Sequence, residues 1–255
     1  MKSTAIKAAK EAGKIILLYY SKNIDAITKK NTYDLVTEAD LASENKIISI
    51  IKKKFPDHSL LTEESGEEIQ KSDYCWVIDP LDGTNNFYHK FPMFCVSIAL
   101  YKKGEPLIGV VFDPLKNELF YAEKNKGAFL NNKKISVSSV NKLSKSLLVL
   151  GFYYERGLLM RKSLGQMKKF FYKNVHGIRR TGSAALDLCY TACGRFDGYW
   201  ELKLNPWDFA AGSLILMEAG GRITDAQGKR YNLMMNNVAA SNGKIHKHMI
   251  KILNE

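Results

Sequence analysis

The segment WVIDPLDGTNNF, residues 76–87, leads from a run of apolar residues into two aspartates and a glycine. Residues 76–78 predict a buried strand, so Asp79 lies at the strand's carboxyl end, where ligands gather in layered α/β folds. Pro80 is expected to end the ladder pairing and to fix a bend. Asp82 then returns toward Asp79 after one turn. The segment therefore predicts two carboxylates close together at one edge of a sheet.

The residues that follow Asp79 suit a cation beside an anion. The carbonyl of Leu81 lies between the two aspartates, Gly83 permits close approach of a ligand, and Thr84 can open a helix whose free N–H groups favour an anion. Two carboxylates and a carbonyl form a hard oxygen set that suits Mg²⁺ or Ca²⁺ rather than zinc. A metal site beside an anion site is typical of phosphoryl chemistry. An Asp-rich turn with solvated carboxylates is the alternative that the segment alone leaves open.

The composition indicates a protein with a large hydrophobic core. The 255 residues are 45% hydrophobic, which suits one large domain or two closely packed halves. The apolar run at residues 15–20 is too short to span a membrane and no targeting signal is recognised, so we expect a cytoplasmic location. Without any CxxC spacing, the cysteines are expected to be free thiols; they are Cys75, Cys95, Cys189 and Cys193.

The formal net charge of +12 favours anionic partners. A field of this sign attracts phosphorylated metabolites, nucleic acid or acidic protein surfaces. The lysines are scattered rather than gathered in one basic arm, so solubility alone also explains the charge.

The order of predicted elements indicates layered sheets and helices. In the first half the predicted helices are 3–20 and 38–55, followed by strands at 75–79, 95–101, 107–112, 118–122 and 127–130. In the second half, strands at 146–150, 175–179, 196–201, 222–224 and 238–241 are interspersed with helices at 161–171, 184–193 and 206–219. Turns between the earlier strands predict a largely antiparallel sheet, and the later alternation predicts sheets covered by helices. We expect a single domain, 1–255, with subregions 1–140 and 141–255.

Other carboxylates have both a structural and a functional interpretation. Thr37 followed by Asp40 resembles a capping box. Asp208, two residues after Pro206, suits the positive end of a helix dipole. Glu63 lies in a segment that reads equally as a solvated loop. From the residues alone, each of these acids remains open to either interpretation.

Six segments, taken in order, resemble the inositol monophosphatase family of Mg²⁺-dependent, lithium-sensitive phosphatases. The resemblance covers residues 34–224 and rests on DLVTEAD (34–40), EES (63–65), WVIDPLDGTNNF (76–87), FPMFCVSIAL (91–100), GSAALDLCYTACGRFDGYWE (182–201) and NPWDFAAGSLILMEAGG (205–221). It implies an αβαβα sandwich, a layered α+β or α/β fold of the inositol monophosphatase and fructose-1,6-bisphosphatase type. It also implies a homodimer and two or three Mg²⁺ ions as cofactors.

The resemblance also implies roles for individual residues. The groups that would bind the metal ions are Glu63, Asp79, the Leu81 carbonyl, Asp82 and Asp208. Thr84, oriented by Asp40 and with Glu63 close by, would activate the attacking water. The Gly83 and Thr84 amides would hold the phosphate. The alcohol part of the substrate, beside Asp82 and Asp208, would face Gly182, Ser183, Ala184 and Glu201; from the residues alone, Ser183 also reads as a helix N-cap and Glu201 as a strand-end acid.

The resulting hypothesis is a Mg²⁺-dependent phosphomonoesterase that converts inositol monophosphate to inositol and phosphate. Within the same family, fructose 1,6-bisphosphate and nucleotide phosphates such as NADP or 3′-phosphoadenosine phosphate are alternative substrates. An alternative of another class is a factor that binds RNA or RNA polymerase, because some bacterial relatives that are similar to this chain also associate with the transcription machinery.

Some features depart from the pattern or stay unassigned. Thr62 stands where many relatives have glycine. Residues 151–180 carry no assignable motif, although the fold implies that they border the mouth of the substrate site. The histidines are not needed for this chemistry: we expect His89 in a loop, and His246 and His248 solvated on a polar C-terminal helix.

Overall fold

The computed structural model describes residues 1–22, 26–28, 35–152 and 156–255. Asp34, which begins the first family segment, and Tyr153 and Tyr154 lie outside these residues. The helices are α1 Lys2–Tyr20, α2 Glu38–Lys52, α3 Thr84–Tyr88, α4 Leu158–Tyr172, α5 Ala184–Ala192, α6 Pro206–Glu218 and α7 His246–Asn254. Within the described ranges, no helix is both long and apolar enough to cross a membrane.

The strands group into one large sheet, one smaller sheet and one short hairpin-like pair. The pair is β1 Ala26–Thr28 and β2 Leu35–Thr37. The next eight strands are β3 Ser59–Thr62, β4 Gly66–Glu68, β5 Tyr74–Asp82, β6 Cys95–Lys102, β7 Glu105–Asp113, β8 Glu118–Glu123, β9 Ala128–Leu130 and β10 Lys133–Ile135. The last five are β11 Leu147–Leu150, β12 Gly177–Arg179, β13 Gly198–Glu201, β14 Arg222–Thr224 and β15 Val238–Ser241.

The large sheet has the strand order β10-β9-β8-β7-β6-β5-β3-β4. All of its neighbours are antiparallel except β3 and β5. Successive side chains of a strand point to opposite faces. Accordingly, Trp76 and Ile78 of β5 are buried in the cluster that includes α1 and α2, whereas Val77 is buried in the cluster that includes α5 and α6. The predicted antiparallel character of this half is confirmed.

Helix α1 covers one face of the large sheet through a stripe of small residues. Ala5, Ala8, Ala12 and Ile16 recur at three- and four-residue spacing, and all are fully buried. This spacing places them on one side of the helix, where they join Ile47 of α2 in a single core cluster. The small side chains let α1 and α2 form the outer helix layer directly on the sheet.

Helices α5 and α6 form the central layer. All nine residues of α5 are buried, which is the pattern of a helix surrounded on every side by protein. α6 packs on β5, β6, β7 and β8 of the large sheet, while α5 packs on α6 and on β13 and β15 of the small sheet. The two helices therefore lie between the two sheets.

The small sheet, with strand order β12-β11-β13-β15-β14, completes the fold. Its β12, β11 and β13 are parallel, and β13, β15 and β14 are antiparallel. Tyr199 of β13 points into the cluster shared with α5 and α6, whereas Leu148, Leu150 and Trp200 join α4 and α7 in a third cluster. The resulting five layers are α1/α2, large sheet, α5/α6, small sheet and α4/α7, so the expected αβαβα sandwich is confirmed.

The sequence predicts that pairing of β5 ends at Pro80, and this prediction is wrong. The strand continues to Asp82 through a register shift between Asp79 and Asp82. Pro80 has no pairing partner in the register with β3 or β6, and its carbonyl instead accepts a bond of 2.8 Å from the Ser43 hydroxyl. Because no ladder bond is required of residue 80, the missing N–H of proline costs nothing there.

The expectation that His246 is solvated is wrong. Its ring is buried, with Nε2 lying 3.0 Å from Thr224 Oγ1 and Nδ1 lying 3.0 Å from Ser241 Oγ. Burial lowers the pKa of His246 to about 4, so the ring is neutral at physiological pH. His248 on the same helix is exposed, as expected.

Candidate active site

The two aspartates of the opening segment are brought together by a β-bulge. Asp79 pairs with Ser97 and Asp82 pairs with Cys95, so β5 advances three residues while β6 advances two. The extra residue bends the strand and redirects its side chains. Leu81 N donates to Asp79 Oδ1 at 3.0 Å, which holds the bulge closed. Both aspartates line the same pocket.

Gly83 turns the chain from β5 into α3. Its φ of +96° lies in the left-handed region, and a Cβ there would lie 2.9 Å from the Met93 carbonyl oxygen. Only glycine avoids both the strain and the collision. The turn places Thr84 at the first position of α3, with Oγ1 lying 3.0 Å from Leu81 O and 3.0 Å from Asp40 Oδ1. The single hydroxyl proton can therefore be donated to either oxygen.

Asp40 lies behind Thr84 and does not line the pocket. It completes the predicted capping box of α2: Asp40 Oδ2 accepts bonds from Thr37 N at 2.8 Å and from Thr37 Oγ1 at 2.6 Å. Burial raises the pKa of Asp40 to about 6, although the two bonds from Thr37 lower it. The geometry is compatible with both interpretations of Asp40, since one oxygen caps the helix and the other contacts Thr84.

Asp82 is held by the N-terminus of α5. Its Oδ2 accepts bonds from Ser183 Oγ at 2.6 Å and from Ala185 N at 2.8 Å. Ser183 Oγ also accepts a bond of 3.4 Å from Leu186 N, so Ser183 is the helix N-cap as well. Burial raises the pKa of Asp82 to about 6, while the bonds from Ser183 and Ala185 lower it. These contacts join the bulge of the large sheet to the central helix layer.

The remaining predicted metal-binding carboxylates come from β3 and α6. Glu63 follows β3, and its N–H donates to Ile78 O at 3.2 Å, which places Glu63 beside the end of β5. Asp208 lies in the first turn of α6, where its Oδ2 accepts a bond of 2.6 Å from Asn205 N. Burial and the charge of Glu63 raise the pKa of Asp208 well above its usual range. Burial, followed by the charges of Glu63, Asp82 and Asp208, does the same for Asp79.

One pocket with a volume of about 240 Å³ brings the predicted site together. Of the predicted residues, all except Asp40 line it, namely Glu63, Asp79, Leu81, Asp82, Gly83, Thr84, Gly182, Ser183, Ala184, Glu201 and Asp208. These residues come from both sheets and from the central helix layer. The pocket therefore lies where the bulge of β5, the N-termini of α5 and α6, and the end of β13 meet.

The pocket also contains residues that the sequence analysis did not select. They are Gly151, Phe152, Arg180, Asp187, Lys203, Leu204, Asn205 and Trp207. Asp187 is the one charged residue of α5, and a lone carboxylate in a mainly apolar helix is a sequence signal for a functional residue. It accepts a hydrogen bond from the Thr181 hydroxyl, and burial raises its pKa well above the usual range. Gly151, Phe152 and Arg180 agree with the expectation that residues 151–180 border the site, and residues 153–155 lie outside the described chain.

The donor set fits a hard divalent cation. It contains four carboxylates and the Leu81 carbonyl, all oxygen donors, which is the ligand chemistry of Mg²⁺. The raised pKa values of Asp79, Asp82 and Asp208 indicate buried negative charge that a cation would offset. As placed, no three histidine, cysteine, aspartate or glutamate side chains in the described chain form a group that could hold a metal ion.

Comparison with known proteins identifies the family. The sequence profile of the inositol monophosphatase family matches residues 1–255. The chain belongs to the inositol monophosphatase family. It is 44% identical to an inositol-1-monophosphatase of Synechocystis sp. over 98% of this chain and 87% of the relative. It is also 44% identical to the Nus factor SuhB of Pasteurella multocida, over 98% of this chain and 94% of the relative.

The family's solved structures share the fold described above. The extragenic suppressor protein suhB of Bartonella henselae superposes with a TM-score of 0.94 at 37% identity, covering 99% of this chain and 98% of that one. Because the inositol monophosphatase family is a family of phosphatases, we expect the pocket to hydrolyse a phosphate ester. The names of the relatives differ, so membership alone does not identify the substrate.

Proposed function

We propose that this protein hydrolyses inositol monophosphate to inositol and phosphate in a Mg²⁺-dependent reaction. The observation that carries the proposal is one pocket that Glu63, Asp79, Asp82 and Asp208 line together with Gly83 and Thr84. The name of the Synechocystis relative supports inositol monophosphate as the substrate. The Ser183 hydroxyl and the Glu201 carboxylate line the same pocket, and both are candidates for contacting the hydroxyls of the alcohol.

The metal-binding role is assigned to five oxygen-bearing residues: Glu63, Asp79, Leu81 through its carbonyl, Asp82 and Asp208. Two or three Mg²⁺ ions held there would neutralise the dianionic ester, lower the pKa of the attacking water and stabilise the leaving alkoxide. Asp82 and Asp208 each have one carboxylate oxygen held by hydrogen bonds: Ser183 and Ala185 donate to Asp82, and Asn205 donates to Asp208.

Thr84 is proposed to orient the attacking water. When its proton is donated to Asp40, Thr84 Oγ1 presents lone pairs that can accept a bond from that water. Glu63 lines the same pocket and is assigned the proton acceptor role in this step. The Gly83 and Thr84 amides, at the turn into α3, are assigned to the phosphate oxygens.

The test is phosphate release by the purified protein from a panel of esters. The panel contains inositol monophosphate, fructose 1,6-bisphosphate, NADP and 3′-phosphoadenosine phosphate, each assayed with Mg²⁺ and with EDTA. The proposal expects the highest kcat/KM for inositol monophosphate, no release in EDTA, and the inhibition by Li⁺ that is typical of the family. A higher kcat/KM for another ester would reassign the substrate, and no release from any ester would refute the phosphatase itself.

A second candidate function is association with the transcription machinery. It is supported by the Pasteurella relative, which is named a Nus factor, and by the net charge of +12, which favours RNA and acidic protein surfaces. The test is co-purification with RNA polymerase and ribosomal RNA over a salt series, with binding that weakens as salt increases. Retention of neither partner at low salt contradicts this candidate.

The assembly and the compartment are also proposals. A homodimer is the usual state of the family, and light scattering coupled to size-exclusion chromatography tests it. The free thiols of all four cysteines are compatible with a reducing cytoplasm.

A further inference from the structure

Glu201 is a buried carboxylate held in a fixed position at the edge of the pocket. It is the last residue of β13, its side chain lines the pocket, and only 8% of the residue is exposed. Burial raises the pKa of Glu201 to about 7, the Tyr199 hydroxyl and the charge of Arg180 lower it, and the charge of Asp82 raises it. A carboxylate this buried is costly unless the surrounding groups support it.

Tyr199 provides the first support. It lies two residues before Glu201 on β13, so both side chains point to the same face of the small sheet. The Tyr199 hydroxyl donates to Glu201 Oε2 at 2.7 Å, and Tyr199 is fully buried. Burial and the charge of Glu201 raise the pKa of Tyr199 well above its usual range, so the hydroxyl keeps its proton and remains the donor.

Gly151 provides the second support, because its missing side chain leaves space for the Glu201 carboxylate. It follows β11, the parallel neighbour of β13, and its N–H donates to Trp200 O at 3.0 Å. A Cβ at residue 151 would lie 1.7 Å from Glu201 Oε2 and 2.2 Å from Glu201 Cδ. The carboxylate thus occupies the space that any side chain at residue 151 would need.

We propose that Tyr199 and Gly151 are positioning residues that hold the Glu201 carboxylate, which the proposed function already assigns to the substrate's alcohol half. The two neighbours act on substrate selectivity only through Glu201. The inference rests on the proposed function, because it takes the alcohol half to be a polyol. Neither neighbour belongs to the metal-binding set, so losing either one is expected to change substrate selectivity rather than the hydrolytic step.

The experiment compares two esters with Tyr199→Phe. Inositol monophosphate has hydroxyls on its leaving group, whereas p-nitrophenyl phosphate has none. We expect kcat/KM for inositol monophosphate to fall about tenfold, mainly through an increase in KM. A tenfold change corresponds to the free energy of about one hydrogen bond to a charged group. For p-nitrophenyl phosphate we expect a change of less than about twofold. A similar fall for both esters would mean a merely structural role and would overturn the inference.

The pH dependence provides a readout that a structural role would not change. The Tyr199 hydroxyl stabilises ionised Glu201, so removing it raises the pKa of Glu201. The pH profile of KM for inositol monophosphate is therefore expected to move to higher pH in Tyr199→Phe. A profile that keeps the wild-type midpoint contradicts the inference.

A double-mutant cycle with Glu201→Gln separates direct from indirect action. If Tyr199 acts through Glu201, Tyr199→Phe has little further effect on inositol monophosphate in the Glu201→Gln background. If Tyr199→Phe still costs about tenfold in that background, the inference is wrong. Tyr101→Phe is the matched control, because Tyr101 is equally buried and its hydroxyl bonds to Tyr231 and not to Glu201.

Gly151→Ala tests the steric half of the inference. The added methyl group must displace the Glu201 carboxylate, so we expect the same selective loss with inositol monophosphate as in Tyr199→Phe. Gly165→Ala is the control, because a Cβ at that helical position meets no atom within 4 Å. If the Gly151→Ala variant folds and loses activity equally with both esters, the steric role is contradicted. If this variant does not fold, the double-mutant cycle of Tyr199 and Glu201 alone tests the inference. A wild-type protein that hydrolyses neither ester would instead refute the proposed function.

Discussion

Thr84 Oγ1 lies 3.0 Å from Asp40 Oδ1, a residue 44 positions earlier in the chain. The bond connects a hydroxyl that lines the pocket to a carboxylate that is completely buried behind it. Asp40 is held in turn by Thr37 at the start of α2. The helix layer on the outer face of the large sheet therefore helps to orient a hydroxyl that lines the pocket.

Thr84→Val is expected to lower kcat for inositol monophosphate by roughly 10²-fold, because the attacking water is no longer oriented for proton transfer to Glu63. Valine keeps the shape of threonine but cannot bond to Asp40 or orient water. We expect KM to change little, because the phosphate is assigned to backbone amides that the substitution leaves in place. Steady-state kinetics measures both constants. Thr84→Ser keeps the hydroxyl and is expected to stay within a few-fold of wild type, and a Thr84→Val enzyme with normal kcat would contradict the assignment.

Asp82→Asn is expected to abolish the response to Mg²⁺ while the fold is retained. The asparagine oxygen can still accept bonds from Ser183 and Ala185, but the charge that a cation would offset is gone. In the wild type, Mg²⁺ at a concentration of about 100 times its Kd is expected to stabilise the folded state by about 2.7 kcal/mol. For a chain of this size, that free energy raises Tm by roughly 5 to 10 °C.

Thermal unfolding with EDTA and with Mg²⁺ measures this difference. We expect the Mg²⁺-dependent rise in Tm for wild type and none for Asp82→Asn. Asp73→Asn, which removes an exposed charge near Lys103, is the matched control and is expected to keep the rise. An equal rise in Asp82→Asn would show that the cation binds elsewhere.

The layers of the fold could be predicted from the sequence because the helices and strands that form them follow local patterns of apolar residues. The strands Arg222–Thr224 and Val238–Ser241 have the predicted bounds, and α6 begins at Pro206 as predicted. The strands β3, β4 and β10 were missed because each is three or four residues long, with little apolar pattern of its own. Helix α2 ends at Lys52, three residues earlier than predicted.

The expectations that fail are those for which distant parts of the chain decide the outcome. Pro80 was expected to end a strand, but the bulge makes its missing N–H irrelevant. His246 was expected to be solvated because Lys244 and Lys247 flank it, whereas its partner Thr224 lies 22 positions away. Gly151 carries no local signal, because its role is defined only by the Glu201 carboxylate beside it.

Ser183→Ala is expected to reduce both stability and activity. It removes the N-cap of α5, which costs about 1 kcal/mol of unfolding free energy, and it removes a donor to Asp82. Urea unfolding measures the first effect and kcat/KM measures the second. Ser183→Thr keeps the hydroxyl and serves as the control. Unchanged stability and activity in Ser183→Ala would contradict both roles.

His246 is expected to make the folded state less stable in mild acid. Burial lowers its pKa from 6.5 to about 4, so between these values the unfolded chain binds a proton that the folded chain does not. This contribution to stability is fully present above pH 6.5 and is lost as the pH falls toward 4, for a total of about 3 kcal/mol. In His246→Gln the amide does not titrate, so the urea midpoint is expected to change less over the same interval. Identical pH slopes for wild type and His246→Gln would show that other groups cause the acid sensitivity.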